Sequence, residues 1–523
     1  MKHDGAAHRI VRYWLPGVLF FAAVVTLSQG LVTASRPLNY AHAWVTADLA
    51  LEARSFSNSG VAGLRGVPFS NNPPYGIRPE PYLHWPPLFP VLLSFVFRIF
   101  GESDASIHGF MLLIQAVTAV LIYLVIRACM SSVAGAFGVL AWLSQAVVLK
   151  YSHLAAPLNL AILFVVLAVL AFKTATGAAR HRSLWVAAGA AAVFCGVLTS
   201  WEAVLATLGL LAGSLRIRDR VQRRIALILL FAGVTAAVSV LSWYAFMYPD
   251  LARDTLTTVS YRMGLSDLYS SSPIYHLDAR GEYPYISLPQ RALAIARFLV
   301  EGLGGPGLLA IAACICGHLE SSPASREGAL PADNRSMVVF AGLLVPPLAW
   351  FIAFSNHAAN HEYEYLLAAP AAAFAIAWCA DTALTFLAAR QGQSAKIRTW
   401  AVAAIGPLLL LLPILSDASS NLTIRRSGTG SFPVLEPQAA VMKPDEYVQF
   451  GSIIRDATPQ GSVVLTPEVT EVPIYYSHRH VIAGVADSDL ARVLPLAKAN
   501  FPDSPLYLAF YKDGRAEIIK VAR

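Results

Sequence analysis

The feature that most restricts this chain is a series of long apolar runs. They recur from Trp14 to Leu415 and are separated mostly by short polar connections. An α-helix needs about 20 apolar residues to cross the hydrocarbon core of a bilayer. Hydrophobic residues make up 56% of the 523 positions and charged residues 14%, and the mean hydropathy is +0.55. A water-soluble chain could not hide that much apolar surface, so the several soluble domains that length alone suggests are excluded. The pattern is that of a polytopic α-helical membrane protein. The net charge of +7 does not point to nucleic acid, because the basic residues cluster in short connections between apolar runs, where the positive-inside rule puts them.

Eleven spans are expected, at about 14–34, 106–128, 133–149, 157–172, 184–200, 201–215, 225–248, 303–318, 337–354, 364–388 and 400–415. The first ends without a small-residue cleavage signature and reads as an uncleaved helix. With the N-terminus in the cytoplasm, the cytoplasmic connections carry Lys2, Arg9, Arg12, Arg127, Lys173, Arg180, Arg182, the cluster Arg216, Arg218, Arg220, Arg223 and Arg224, and then Arg326, Arg335, Arg390, Lys396 and Arg398. The short connections on the other face carry Lys150 and little else, so count and orientation support each other. The five cysteines, Cys129, Cys195, Cys314, Cys316 and Cys379, lie in or beside apolar runs without a metal or CxxC spacing and read as small buried hydrophobes. The chain shows no internal repeat of the kind many secondary transporters carry.

Leu88–Phe100 follows Pro86-Pro87, carries Arg98 and stops at Gly101. It is short for a span and suits a helix lying in the interface. The outer face then holds a first loop at about 35–105, a second at about 249–302, the polar stretch Ser355–Glu364 and a tail. The membrane region is expected over 1–416 and a small α/β extracytoplasmic domain over 417–523. In the tail, helices are expected at Asp445–Ala457 and Ser488–Ala499. Strands are expected at Ser462–Leu465, Pro473–Tyr476 and Val481–Ala483, and a hairpin through Asp513-Gly514 joins Leu506–Tyr511 to Glu517–Val521. No glycine-rich phosphate loop or nucleophile elbow occurs there, and the tail reads as an interaction or acceptor-handling module.

Charge and aromatic residues concentrate at the outer surface. In His42–Phe56, Trp44, Asp48 and Glu52 recur every fourth residue and share a helical face. A carboxylate there could serve as a general base beside an apolar cavity, or the face could simply be solvated. Tyr82 and His84, in the run Tyr82-Leu83-His84-Trp85-Pro86-Pro87-Leu88, suit either a sugar or phosphate contact or an interfacial anchor. His357 and His361 are four apart and His361 adjoins Glu362, but the run His361-Glu362-Tyr363-Glu364-Tyr365 departs from the H-E-x-x-H zinc pattern. These residues are therefore read as the lining of a substrate cavity, with no metal expected.

These motifs, in this order, resemble the GT-C class of polytopic glycosyltransferases, a class that includes protein O-mannosyltransferases and lipid A aminoarabinose transferases. In that class one span precedes an outer loop with an acidic motif and two juxtamembrane helices. The second helix opens in a His-Pro-Pro-Leu type sequence, here His84-Trp85-Pro86-Pro87-Leu88, and closes at Phe100-Gly101. His42–Phe56 is similar to the H-x-W-x-x-A-D opening of bacterial family 39-like members, which puts Asp48 in the place of the catalytic acid. The resemblance covers about 10–415. It implies transfer of a sugar from a polyprenyl-phosphate donor to an acceptor at the outer face, with inversion and Asp48 as base. Glu52, Tyr82, His84, Arg262, His361, Glu362 and Tyr363 are the substrate-binding candidates, and no dissociable cofactor or nucleic acid is implied. One departure is that Tyr151–Asn159 carries no acid, where several members have one in their second outer loop. The W-W-D-Y-G motif of oligosaccharyltransferases is also missing. Neither the sugar nor the acceptor, whether protein, lipid or glycan, is legible. The rival expectation is a transporter or flippase for a lipid-linked substrate, which should carry charged or broken helices near the membrane midplane.

Overall fold

The computed structural model describes residues 6–34, 36–38, 42–69, 83, 85–177, 180–248, 251–265, 287–320, 334–389, 405–415, 444–467, 471–483, 485, 490–512 and 515–521. Although 133–149 breaks at Gln145 and 400–404 lies outside the described residues, each expected span overlaps a helix. They are α1 (Ala6–Ala34), α4 (Asp104–Cys129), α5 (Ser132–Ser144), α7 (Pro157–Gly177), α8 (Arg182–Val197), α9 (Ala203–Arg216), α10 (Arg220–Met247), α12 (Leu288–Glu320), α13 (Asn334–Ala353), α15 (Ala369–Ala389) and α16 (Ile405–Leu415). Among the described residues, six segments are long and apolar enough to cross a bilayer: α4, α7, α10, and within the later helices Leu288–Gly317, Ser336–Ala353 and Glu362–Phe386. The rest are shorter apolar helices.

The chain alternates between two ends of this bundle. Ser131 donates to Asp381 and Ser336 approaches the Cys129 carbonyl at one end. At the other end gather α2 (Ala43–Ser59), α3 (Leu88–Phe100), α6 (Ala146–Tyr151), α11 (Leu251–Met263), α14 (Ser355–Asn360) and a 3-10 turn over Glu362–Ala368. Cross-links such as Thr46 to Ala155 and Leu88 to Leu198 tie this end together. Arg127, Arg182, Arg216 and Arg220 all sit at the first end.

Apolar residues on both sides of a helix mean burial on one side and lipid on the other. On α4, Ile107, Met111, Ile114 and Ile122 are buried, whereas Leu113, Val117 and Val120 are exposed. Helix α7 sits at the centre, with most of its side chains buried. With lipid as solvent, close backbone approach replaces the hydrophobic drive between helices. Gly209 and Gly213 of α9 provide it: a Cβ at Gly209 would lie 2.3 Å from the Ala341 carbonyl oxygen, and one at Gly213 2.9 Å from the Val338 Cα. Helix α12 is two helices joined at a kink, where Gly304 takes φ 72°, ψ 161° just before Pro306. The expected boundary between spans at 200/201 resolves into a turn over Leu198–Glu202, so Glu202 lies in a turn at the loop end, outside the helices. Of the cysteines, Cys314 is buried but Cys316 is exposed, because two residues turn a helix by about 200°.

In the tail, α17 (Pro444–Ala457), α18 (Glu471–Ser477) and α19 (Leu490–Asn500) surround a sheet of order β2-β1-β3-β4. Strand β1 (Val463–Leu465) pairs in parallel with β2 (His480–Ile482) and β3 (Leu506–Lys512), and β3 pairs antiparallel with β4 (Arg515–Lys520). Alternation splits the core: Val463 and Leu465 pack with Val493 and Ala497 of α19, while Val464 shares a cluster with Phe450, Ile454 and Tyr475. The strand expected at Pro473–Tyr476 is instead part of helix α18. Parallel β1 and β2 require a crossover, and a proline in the first turn of a helix leaves no needed N–H missing. The turn expected at Asp513-Gly514 lies outside the described residues, between Lys512 and Arg515, which pair across the hairpin.

Candidate functional site

Helix α2 is not a solvated amphipathic helix. Thr46, Asp48, Glu52 and Arg54 are all buried along with its Ala and Leu residues. Packing against α3 on one side and α18 on another buries the helix except at its C-terminal end, where Asn58 and Ser59 are exposed. Asp48 keeps 7% exposure and Glu52 1%, so Asp48 is the more accessible of the pair. Glu52 Oε1 has no hydrogen-bond partner among the described residues. Burial first, and the Asp48 carboxylate second, push the Glu52 carboxyl well above its ordinary value. Of the two, Glu52 is thus the carboxyl that its surroundings press towards the protonated form.

The N-cap of α2 is His42, held in the left-handed region at φ 59°, ψ 22° without capping its own helix. Its ring turns instead to the 3-10 turn. His42 Nε2 lies 3.2 Å from Glu362 Oε2, Tyr151 OH donates to Glu362 Oε1 at 2.8 Å, and Lys150 Nζ stands 3.5 Å from the same oxygen. The Tyr363 ring meets His42 edge-on at 5.1 Å, and Trp44 and His361 face each other at 6.2 Å. Burial, and then the neighbouring His357 and His42, hold His361 well below the usual imidazole range, so it is neutral. His357 Nε2 pairs with Glu364 Oε1 at 3.1 Å. Among the described residues no three His, Cys, Asp or Glu side chains converge as a metal set.

A second group forms around Trp85. Tyr244 of α10 donates to the Trp85 carbonyl at 3.2 Å and lies within electrostatic reach of Glu52. The Arg262 guanidinium covers the Trp85 ring at 5.4 Å. Arg262 is placed by its own helix end. Arg291 of α12 donates to the Met263 and Gly264 carbonyls at 3.2 and 3.1 Å, and a Cβ on Gly264, at φ 70°, would meet the Arg291 Nη1 at 1.8 Å. Within electrostatic reach of Arg262 is Glu202, fully buried, with Ser200 donating to Oε2 and with Oε1 lacking a partner among the described residues. Burial, and then Glu364, raise the Glu202 carboxyl, while Ser200 and Arg262 draw it down.

The structure thus brings Asp48, Glu52, Arg262, His361, Glu362 and Tyr363 to one end of the bundle, while Tyr82 and His84 lie outside the described residues. Sequence reasoning missed Glu202, Tyr151, Lys150, Tyr244 and Arg291 as members. Only Glu202 left a signal, as an acid within an apolar run.

Residues 84–244 match the family described as dolichyl-phosphate-mannose-protein mannosyltransferase. That segment contains Trp85 and Glu202 but not α2. A sequence search against curated proteins finds no match. Among solved structures, ArnT from Cupriavidus metallidurans bound to undecaprenyl phosphate is similar at TM-score 0.59 and 14% identity, covering 97% of this chain and 98% of that one. The archaeal oligosaccharyltransferase AglB from Archaeoglobus fulgidus, in complex with an inhibitory peptide and a dolichol-phosphate, is similar at TM-score 0.56 and 14% identity, covering 95% and 69%. The chain has the fold of the GT-C glycosyltransferases.

Proposed function

From the GT-C fold as premise, we propose that this protein transfers a sugar from a polyprenyl-phosphate donor to an acceptor hydroxyl at the extracytoplasmic face. The observation that carries the reading is the buried carboxylate pair of α2. Burying two adjacent acids is costly, and such a pair persists where its chemistry is used. With the proton held on Glu52, Asp48 is the ionised member and the natural general base. The acceptor oxygen attacks the anomeric carbon and its proton passes to Asp48. The bond from that carbon to the phosphate oxygen breaks on the opposite side, so the anomeric configuration inverts and the polyprenyl phosphate departs. The departing phosphate gains charge, which Arg262, anchored over Trp85, would meet; His84 is a second candidate from its sequence motif alone. The His42, His361, Glu362 and Tyr363 group, braced by Tyr151 and Lys150, would line the sugar or acceptor side.

In this reading eleven helices cross the inner membrane, the N-terminus and the Arg-rich end face the cytoplasm, and 417–523 is an extracytoplasmic domain. The donor class rests on the lipid phosphates bound by the similar ArnT and AglB structures and on Arg262.

The test is mass spectrometry of envelope glycans and lipids from cells with and without the protein. A hexose- or pentose-sized increment should vanish with the protein and return with the wild type but not with Asp48→Asn. An unchanged glycan profile, with lipid-linked sugar accumulating on the cytoplasmic face, would refute transfer and favour a flippase.

A further inference from the structure

Two adjacent tail residues hold all three chain segments that frame α2. Tyr476 OH accepts from the Leu38 backbone N–H at 2.7 Å and lies 2.9 Å from both Asp104 carboxylate oxygens, to which it donates. Leu38 belongs to the connection entering α2, and Asp104 opens α4 just after α3. One residue earlier, the Tyr475 carbonyl accepts from Arg54 Nη2 at 2.7 Å, and the Tyr475 ring lies 5.0 Å beneath the Arg54 guanidinium. Arg54 also donates through Nε, at 2.8 Å, and through Nη2 to Glu102 Oε1 at the α3–α4 corner.

Arg54 is itself a residue of α2, two positions beyond Glu52 and six beyond Asp48. The tail therefore grips the entry and the body of the helix that carries the carboxylate pair, and the α3–α4 corner beside it. These contacts are buried or half-buried, where a charge-assisted hydrogen bond is little screened. Those made by Tyr475 and Tyr476 also join residues more than 370 positions apart, so nothing local in the chain would reproduce them.

We propose that Tyr475 and Tyr476 form a positioning clamp through which the tail fixes α2, and that turnover depends on the tail through this clamp. The proposal rests on the reading of Asp48 as the base. General-base transfer is sensitive to displacements of about 1 Å, whereas Arg262, the group proposed to meet the donor phosphate, stands on α11. Loosening the clamp should therefore reduce turnover without weakening donor binding. Tyr475 and Tyr476 are positioning residues, since they act through Arg54, Leu38 and Asp104.

The experiment uses the full chain in nanodiscs, with the polyprenyl-phosphate sugar fraction of the host membrane as donor and mass spectrometry of the product. Tyr476→Phe removes one hydroxyl and leaves the ring in place. Tyr475→Leu removes the ring beneath Arg54 but keeps the carbonyl, and serves as a second variant. The expected result is kcat lowered about tenfold or more, an apparent donor KM within about twofold of wild type, and faster amide exchange over Ala43–Ser59 with tail protection unchanged. Unchanged exchange in α2 would overturn the clamp. Faster exchange with unchanged kcat would overturn its role in turnover. Asp48→Asn, run alongside, separates the two claims: wild-type turnover there refutes the base, while the clamp is judged on the tyrosine variants alone.

Discussion

Replacing Asp48 by Asn should slow transfer far more than replacing Glu52 by Gln, and the structure gives the reason. Asn keeps the size of Asp but cannot accept the acceptor's proton. The loss expected for removing a general base is about 10²–10⁴-fold, or roughly 3–5 kcal/mol of barrier. Glu52 is buried, has one carboxyl oxygen without a hydrogen bond among the described residues, and has its carboxyl pushed well above the ordinary value by burial and then by Asp48. Glu52→Gln then exchanges one neutral group for another and should cost less than about tenfold. Single-turnover transfer in nanodiscs, with both variants at matched insertion levels, measures the ratio. If Glu52→Gln proves the more damaging change, or Asp48→Asn turns over at the wild-type rate, the proton has been assigned to the wrong carboxylate and the reasoning fails.

The same assignment fixes a pH dependence. Because the folded-state value of Glu52 is raised, its stabilising contribution is complete below the unfolded value and is lost as pH rises through the folded one. The wild-type thermal midpoint should fall towards alkaline pH more steeply than that of Glu52→Gln, and parallel slopes would refute this. Gly209→Leu drives a side chain into the Ala341 carbonyl and should cost about 1–3 kcal/mol, read as a lower midpoint in detergent; an unchanged midpoint counts against the α9–α13 contact. Cysteines placed at Gly5 and Gln393 should be shielded from an impermeant thiol reagent in intact cells, and those at Asn72, Ser271 and Gln460 labelled; labelling at Gln393 would invert the topology. A fragment from Asp417 onward should be soluble and unfold cooperatively, because α19 and the sheet form their own apolar cluster; circular dichroism without a thermal transition would disprove it.

The positions of the helices were legible in the sequence because lipid is a uniform solvent. Apolar runs, the Arg-rich connections and the Pro86-Pro87 and Gly101 limits of α3 are local signals, and the helices fall where those signals lie. The two carboxylates on one turn of α2 were equally visible from their spacing. Whether that face met water was not, because burial is decided by α3 and α18, which reach it from elsewhere in the chain. Glu202 was hidden for a related reason: an acid in an apolar run reads as part of a span until the turn at Leu198–Glu202 is seen. The strand expected at Pro473–Tyr476 was a helix because the parallel pairing of β1 and β2 leaves only a crossover between them. The sequence by itself determined which segments are apolar enough to form the helices of the bundle and the chemistry each side chain can perform. The tertiary structure alone decided which groups meet, setting Arg262 against Trp85 and Tyr476 against Asp104, because such contacts depend on the packing of the whole bundle and leave no period in the chain.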